Sequence, residues 1–195
     1  MKRNPALLYG ICLTVCLILI PVSSHRTSDS EIPEAALEYS GTPLSPYDDI
    51  LKTVARDHGW DWRLLAAMVY HESRFHNEAQ SQKGAVGLMQ INSSRYTEEM
   101  LLDPHTNLTV GARYLKKLQG MFSAASPVEN LKFALAAFNL GDGRLRQLIN
   151  TAAQDGADTT HWDSVAAYLP EGHHTVAYVN KVLDTYDNYR RNYPL

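Results

Sequence analysis

The 195-residue sequence predicts a mainly α-helical domain. Apolar residues recur at helical spacing in successive segments, capping residues stand at the starts of those segments, and no long alternating run calls for an extended sheet. With 45% hydrophobic and 20% charged residues, 11 Gly and 9 Pro, the composition fits one globular domain with extra segments at its ends.

Taken in order, residues 1–24 open with Lys2 and Arg3 and continue into "ALLYGICLTVCLILIPV", a charge-free run from Ala6 to Val22. This reads as a secretory signal or a membrane anchor. Val22 and Ser24 would occupy the −3 and −1 positions of a cut before His25, while the length of the run reaches the lower limit of a transmembrane helix. Both cysteines, Cys12 and Cys16, lie inside it, so the exported part has no thiol for a disulfide, a metal or nucleophilic chemistry. Residues 25–46 are polar and read as a flexible tether. Loss of residues 1–24 removes two positive charges and no negative ones, moving the net charge from −3 to −5. An acidic chain without a Lys/Arg block is a poor partner for nucleic acid, and contact with a membrane is expected only through an uncleaved N-terminal segment.

The domain is expected over residues 47–195, about 149 residues, enough for a sizeable core. Its first helix should start at Ser45 as N-cap with Pro46 at the first helical position. Tyr47, Ile50, Leu51, Val54 and Ala55 follow at helical spacing, and Gly59 ends the helix. Asp61 caps a second helix with the body "WRLLAAMVYHES". Gly84 and Gly87 break the periodicity between Arg74 and Asn92, which predicts a structured loop. Further helices are expected at about 107–120, at 127–138 behind the capping box "SPVE" (Ser126–Glu129), at about 144–154 and at about 175–190.

The stretch "HESRFH", His71–His76, resembles a zinc-protease helix at first sight. Such a site needs histidines at i and i+4, on one face. Position 75 is Phe, and His76 at i+5 lies about 140° around the helix from His71. Of the remaining histidines, His173 and His174 are adjacent, and His25, His58, His105 and His161 stand alone. No metal site and no cofactor are expected. Glu72 is more informative, because Leu65, Met68 and Val69 share its helical face. Burial disfavours the charged form of a carboxyl and raises its pKa, which suits a general acid working near neutral pH.

Beyond Glu72 the segments "ESRF", "SQKGAVGLMQIN", "DPHTNLTVGARYL", "ALAAFNLGDG" and "TVAYVNKV" follow in order. Together, over about residues 47–190, they resemble the lytic transglycosylase domain of the SLT type, related to goose-type lysozyme. The resemblance implies a lysozyme-like helical domain with a cleft for peptidoglycan glycan strands. It also implies that Glu72 is the catalytic acid and that Ser73 is its neighbour at the cleft. Gly87, Leu88, Met89 and Gln90 match the Gly-Leu-Met-Gln motif, whose Met and Gln line the sugar sites. Phe138 and Asn139 belong to the Ala-Tyr-Asn motif, in which Asn139 would face the N-acetyl group, and Tyr178 would approach the acid. Position 138 departs from the pattern, being Phe where the family usually has Tyr. In isolation Leu88 and Met89 also suit a core, and Tyr178 a half-buried packing role.

Most glycosidases use two carboxylates. No second acid falls in a matched motif, so a single-acid mechanism is inferred; the resemblance implies that the substrate's own acetamido oxygen takes the place of the missing carboxylate. The resemblance implies non-hydrolytic cleavage to 1,6-anhydro ends. A lysozyme-like hydrolytic muramidase and a non-catalytic peptidoglycan-binding module are the alternatives. The expected location is the periplasm or cell envelope, with peptidoglycan glycan strands, and cell-wall or envelope-spanning machinery, as partners.

Overall fold

The structure, a computed structural model, describes residues 42–195. The signal or anchor reading of residues 1–24, and the tether reading as far as Gly41, lie outside the described residues. Eight helices follow: α1 (Asp48–His58), α2 (Trp62–Ser73), α3 (Glu98–Leu102), α4 (Pro104–Gln119), α5 (Pro127–Leu140), α6 (Asp142–Gln154), α7 (Trp162–Ala166) and α8 (His174–Asn192). Among the described residues, β-pairing is confined to the isolated bridges Gln80–Val86 and Val86–Ile91.

The helices α2 and α5 are the buried pair. In α2 the residues from Trp62 to Val69 are all buried, and in α5 so are Phe133 to Ala137. A helix that is apolar all round belongs inside a protein. The alanines Ala66, Ala67, Ala134, Ala136 and Ala137, all fully buried, let neighbouring helices come close. Around this pair α2 packs on α8 and α1, and α5 packs on α4, α8 and α6. Leu108, Leu115 and Leu118 of α4 fill the core, and Phe133 meets Trp162 edge-on at 5.9 Å between ring centroids.

The capping signals explain most helix ends. Gly59 stops α1 in the left-handed region at φ 66°, and the Asp61 carboxylate accepts from the Arg63 backbone N–H to start α2. One boundary differs. Ser45 is not the N-cap of α1; the helix begins at Asp48, whose carboxylate accepts from the backbone N–H groups of Leu44 and Ser45 and from the Ser45 hydroxyl at 2.8–2.9 Å. Ser45 Oγ still accepts from the Tyr47 N–H at 3.2 Å, but its own hydroxyl is turned to Asp48, so the serine closes a turn ahead of the helix and does not cap its first turn. The capping box at α5 is made in one direction only. Ser126 accepts from the Glu129 N–H, but the Glu129 carboxylate turns to the Trp162 N–H at 2.6 Å and to Lys132 Nζ at 2.8 Å, tying α5 to α7.

A clasp fixes the start of α2 against the end of α8. Asp61 receives two guanidinium bonds from Arg63 and one from the Tyr186 hydroxyl, while Arg63 Nη1 donates to the Tyr193 carbonyl and Trp62 Nε1 to that of Pro194. The contacts hold together the two helices that carry Glu72 and Tyr178.

Candidate active site

Glu72 stands at the C-terminal end of α2. Leu65, Met68 and Val69, on its helical face, have no exposed surface, so the carboxyl emerges half-buried from an apolar stripe. Burial pushes the group up to about 7, against a smaller downward pull from the Tyr178 hydroxyl. No second carboxylate contributes to this balance. Tyr178 is raised well above its ordinary value, first by burial and then by the facing Glu72. Its buried hydroxyl faces the Glu72 carboxyl as a hydrogen-bond partner short of ideal geometry, and each group shifts the other through that contact.

The backbone after the acid is forced. Arg74 and Phe75 adopt φ of 55° and 62°, and together with Gln90 at 47° they are the only non-glycine residues with positive φ among those described. Each such residue costs on the order of 1–3 kcal/mol, and two of the three follow Glu72 directly, at the second and third positions after it. The left-handed pair ends α2 one residue after Ser73, with Arg74 N–H bonded to the Tyr70 carbonyl and its guanidinium stacked 3.9 Å over the Tyr70 ring.

The loop of residues 79–91 carries the next four expected residues, and its end lines a groove with Phe138. Val86 and Ile91 exchange backbone hydrogen bonds of 3.0 Å, and Gly87 N–H reaches the Ala79 carbonyl. Gly87 sits at φ 79°, and a Cβ there would lie 2.6 Å from the Leu101 carbonyl and collide with the Asn107 side chain. Gln90 spends its amide inside the loop, donating to the carbonyls of Ala79 at 2.9 Å and Gly87 at 3.1 Å. Beneath the loop Asn107, fully buried, accepts from Met89 N–H at 2.8 Å and donates to the carbonyls of Val86 and Leu101.

The end of α5 carries Phe138 and Asn139. Phe138 is half-buried, with its ring 5.6 Å from that of Tyr114. The next residue, Asn139, turns toward α8, where the fully buried Thr175 donates to its Oδ1 at 2.7 Å. This fixes the amide and leaves its N–H groups without an acceptor among the described residues. Tyr178 follows Thr175 by about one helical turn, so the hydroxyl facing Glu72 and the group orienting Asn139 share one helix.

Two of the expected residues sit deeper than contact with a sugar requires. Leu88 and Met89 are fully buried, and Met89 fills the space over Gly111, where a Cβ would strike its sulfur. The residues support the loop from below. Ser73 is also buried, with its hydroxyl donating to the Val69 carbonyl at 3.2 Å. Neither nearby histidine meets the other: His71 Nε2 lies 2.8 Å from Thr185 Oγ1 on α8, whereas His76 Nδ1 donates to the Ser73 carbonyl. Among the described residues no three His, Cys, Asp or Glu side chains gather as a metal site would require.

Sequence reasoning missed Asn107 and Thr175. A signal for Asn107 was available, since a poor helix former stands in a helical segment beside the apolar Leu108. For Thr175 there was none.

Residues 50–161 match the Transglycosylase SLT domain family. The chain is 33% identical over 168 residues to membrane-bound lytic murein transglycosylase F of Desulfosudis oleivorans, covering 75% of this chain and 37% of that protein. The corresponding protein of Marinobacter nauticus is 32% identical, covering 74% of this chain and 33% of its own length. Among solved structures, the 70 kDa soluble lytic transglycosylase of Escherichia coli superposes with a TM-score of 0.61 at 28% identity, over 76% of this chain and 24% of its own. An inactive glutamate-to-glutamine mutant of lytic transglycosylase Slt from Pseudomonas aeruginosa gives a TM-score of 0.59 at 25% identity, over 75% and 24%. The matched part of the chain thus spans about a third of the length of these curated relatives and about a quarter of these solved ones.

Proposed function

Because this chain belongs to the transglycosylase SLT domain family, we propose that it cleaves peptidoglycan glycan strands by lytic transglycosylation, with Glu72 as the single catalytic acid. The observation that carries this reading is a lone glutamate held at about 7 by an apolar surround, facing Tyr178, with no second carboxylate acting on it. At neutral pH about half of such groups carry the proton a leaving oxygen needs, and the remainder are already basic.

In this mechanism Glu72 protonates the oxygen linking N-acetylmuramic acid to N-acetylglucosamine. As that bond breaks, the carbonyl oxygen of the muramic 2-acetamido group closes on C1 and takes up the developing positive charge, the substrate-assisted alternative to a second carboxylate. The ionised Glu72 then removes the proton from the C6 hydroxyl of the same sugar. The freed oxygen attacks C1, displaces the acetamido oxygen and leaves a 1,6-anhydro ring, so Glu72 ends protonated and no water is consumed. Asn139, its amide held by Thr175, has free N–H groups to orient the acetamido group. Gln90, Phe138, Asn139 and Tyr178 make the contacts with the glycan, and Ser73, Gly87, Leu88 and Met89 hold them in place.

The relatives' names, membrane-bound lytic murein transglycosylases, support a place of action in the cell envelope, consistent with reading residues 1–24 as a signal or anchor. Among the described residues no helix is long and apolar enough to cross a membrane. Mass spectrometry of digested peptidoglycan tests the reaction. Anhydro-muramyl ends are expected, whereas reducing ends, heavier by one water, would make the protein a hydrolase, and no release at all would make it a binding module.

A further inference from the structure

A groove of about 490 Å³ has a lining that includes Gln90 and Phe138, two of the residues just described. It is bordered by three cations, Arg95, Arg113 and Lys117, and no carboxylate lines it. All three side chains are exposed, and none takes part in an ion pair or a side-chain hydrogen bond among the described residues. Asp142, which acts on Tyr114 from nearby, is paired with Arg146 at 4.0 Å. Arg113 and Lys117 stand at i and i+4 on α4, an arrangement of like charges that destabilises a helix slightly. Three unpaired cations around one concavity on a net acidic chain amount to a built anion-binding edge. The floor suits a sugar: Tyr96, Tyr114 and Phe138 present ring surface, and Gln90 and Asn92, whose amide nitrogens are bound to backbone carbonyls, leave their side-chain oxygens as acceptors.

We infer that this groove binds the stretch of glycan beside the cut bond and that Arg95, Arg113 and Lys117 take the carboxylates hanging from its muramic residues. This rests on the glycan-cleaving reading and adds a preference to it. N-acetylmuramic acid differs from N-acetylglucosamine by a lactyl ether that ends in a carboxyl group. In a denuded strand that carboxylate is free, and in a stem-bearing strand it is amidated to a peptide with carboxylates of its own. Either form puts negative charge along one edge of the sugar chain, whereas a chitin oligosaccharide of the same length has none.

The test measures binding by the catalytically silenced Glu72→Gln protein to three probes of equal length: a denuded glycan strand, a stem-bearing strand and an N-acetylglucosamine oligomer. Both anionic strands should bind more tightly than the neutral oligomer, with the margin shrinking as salt is raised. Replacing Arg95, Arg113 and Lys117 together by glutamine should cut that margin about tenfold, the sum of three exposed ion pairs. The salt titration needs no charge substitution, so a misfolded triple variant would not leave the matter undecided. Equal affinity for neutral and anionic probes at every salt concentration overturns the inference while leaving the cleavage reading intact. Failure to bind any of the three probes removes the cleavage reading itself. Anionic vesicles that bind through the same three residues more tightly than either strand would assign the cations to a lipid surface and overturn the inference. A preference for the denuded strand alone points to the lactyl carboxylate, and one for the stem-bearing strand alone to the peptide; both support it.

Discussion

The hydroxyl of Tyr178 on α8 is buried against the carboxyl of Glu72 on α2, and each group shifts the other's proton affinity. Burial keeps Glu72 protonated up to about pH 7, so this carboxyl is an energetic liability whenever it is ionised. Between about pH 4.5 and 7 the folded chain still holds a proton that the unfolded chain has released, so stability falls as pH rises through this window. Glu72→Gln removes the ionisable group. The variant should lose cleavage and equal the parent in stability near pH 4, then exceed it by up to about 3 kcal/mol at pH 8. Urea unfolding of both proteins across that range is the check, and parallel curves would show that Glu72 is ordinarily solvated.

Tyr178→Phe isolates the other member of the pair. The hydroxyl lowers the affinity of Glu72 for its proton, so its removal should move the basic limb of the pH–rate profile upward. Stability should change by less than about 1 kcal/mol, because the lost group has no well-formed hydrogen bond to forfeit. An unmoved pH limb would mean that the two side chains are neighbours without coupling.

The loop of residues 79–91 depends on Asn107. Asn107→Leu would orphan the Met89 N–H and remove a donor from the Leu101 carbonyl, while the Val86 carbonyl keeps its bond from Ile91. A loss of about 2–4 kcal/mol is expected, with activity falling further than stability as Gln90 loses its seat. Denaturant unfolding alongside cell-wall clearing separates the two effects, and a variant as active and as stable as the parent would contradict this role.

Phe138→Tyr adds a hydroxyl at the edge of the groove. Since Phe138 is half-buried and packs on Tyr114, the ring should stay where it is and stability should change by less than about 1 kcal/mol. A new donor facing the sugar should lower KM by about three- to tenfold with little change in kcat, the size of one added hydrogen bond. Kinetics on soluble glycan fragments measure this, and a raised KM would place the ring edge against the core.

What could be read from the chain alone divides by the range of the interaction. The stripe beneath Glu72 was legible because helical spacing is local: Leu65, Met68 and Val69 lie within two turns of it. The caps Asp61 and Ser126 were legible for the same reason. The helices α3 and α7, five residues each, are too short to show a period and were missed. The reciprocal arm of the capping box failed because the Trp162 N–H, 33 residues away, competes for Glu129. The left-handed turn at Arg74 and Phe75 carries no glycine to announce it. The cationic groove joins residues from the loop, α4 and α5, which only the packed chain brings together.

Thr175 holds the last piece of the site. Its hydroxyl donates to Asn139 at 2.7 Å in a fully buried position, so Thr175→Val keeps the shape and deletes only the donor. Asn139 would then be free to rotate, and its carbonyl oxygen would lack its partner. Stability should drop by about 1–2 kcal/mol, the usual cost of a buried polar group left unpaired. If Thr175 positions Asn139, kcat should fall between about tenfold and a hundredfold with KM little changed, because orientation matters most as the bond breaks. Thr175→Ser retains the hydroxyl and should restore most of the rate even though it opens a small cavity. A purely structural role predicts the opposite order, with valine, the better fit to the core, being the more active of the two.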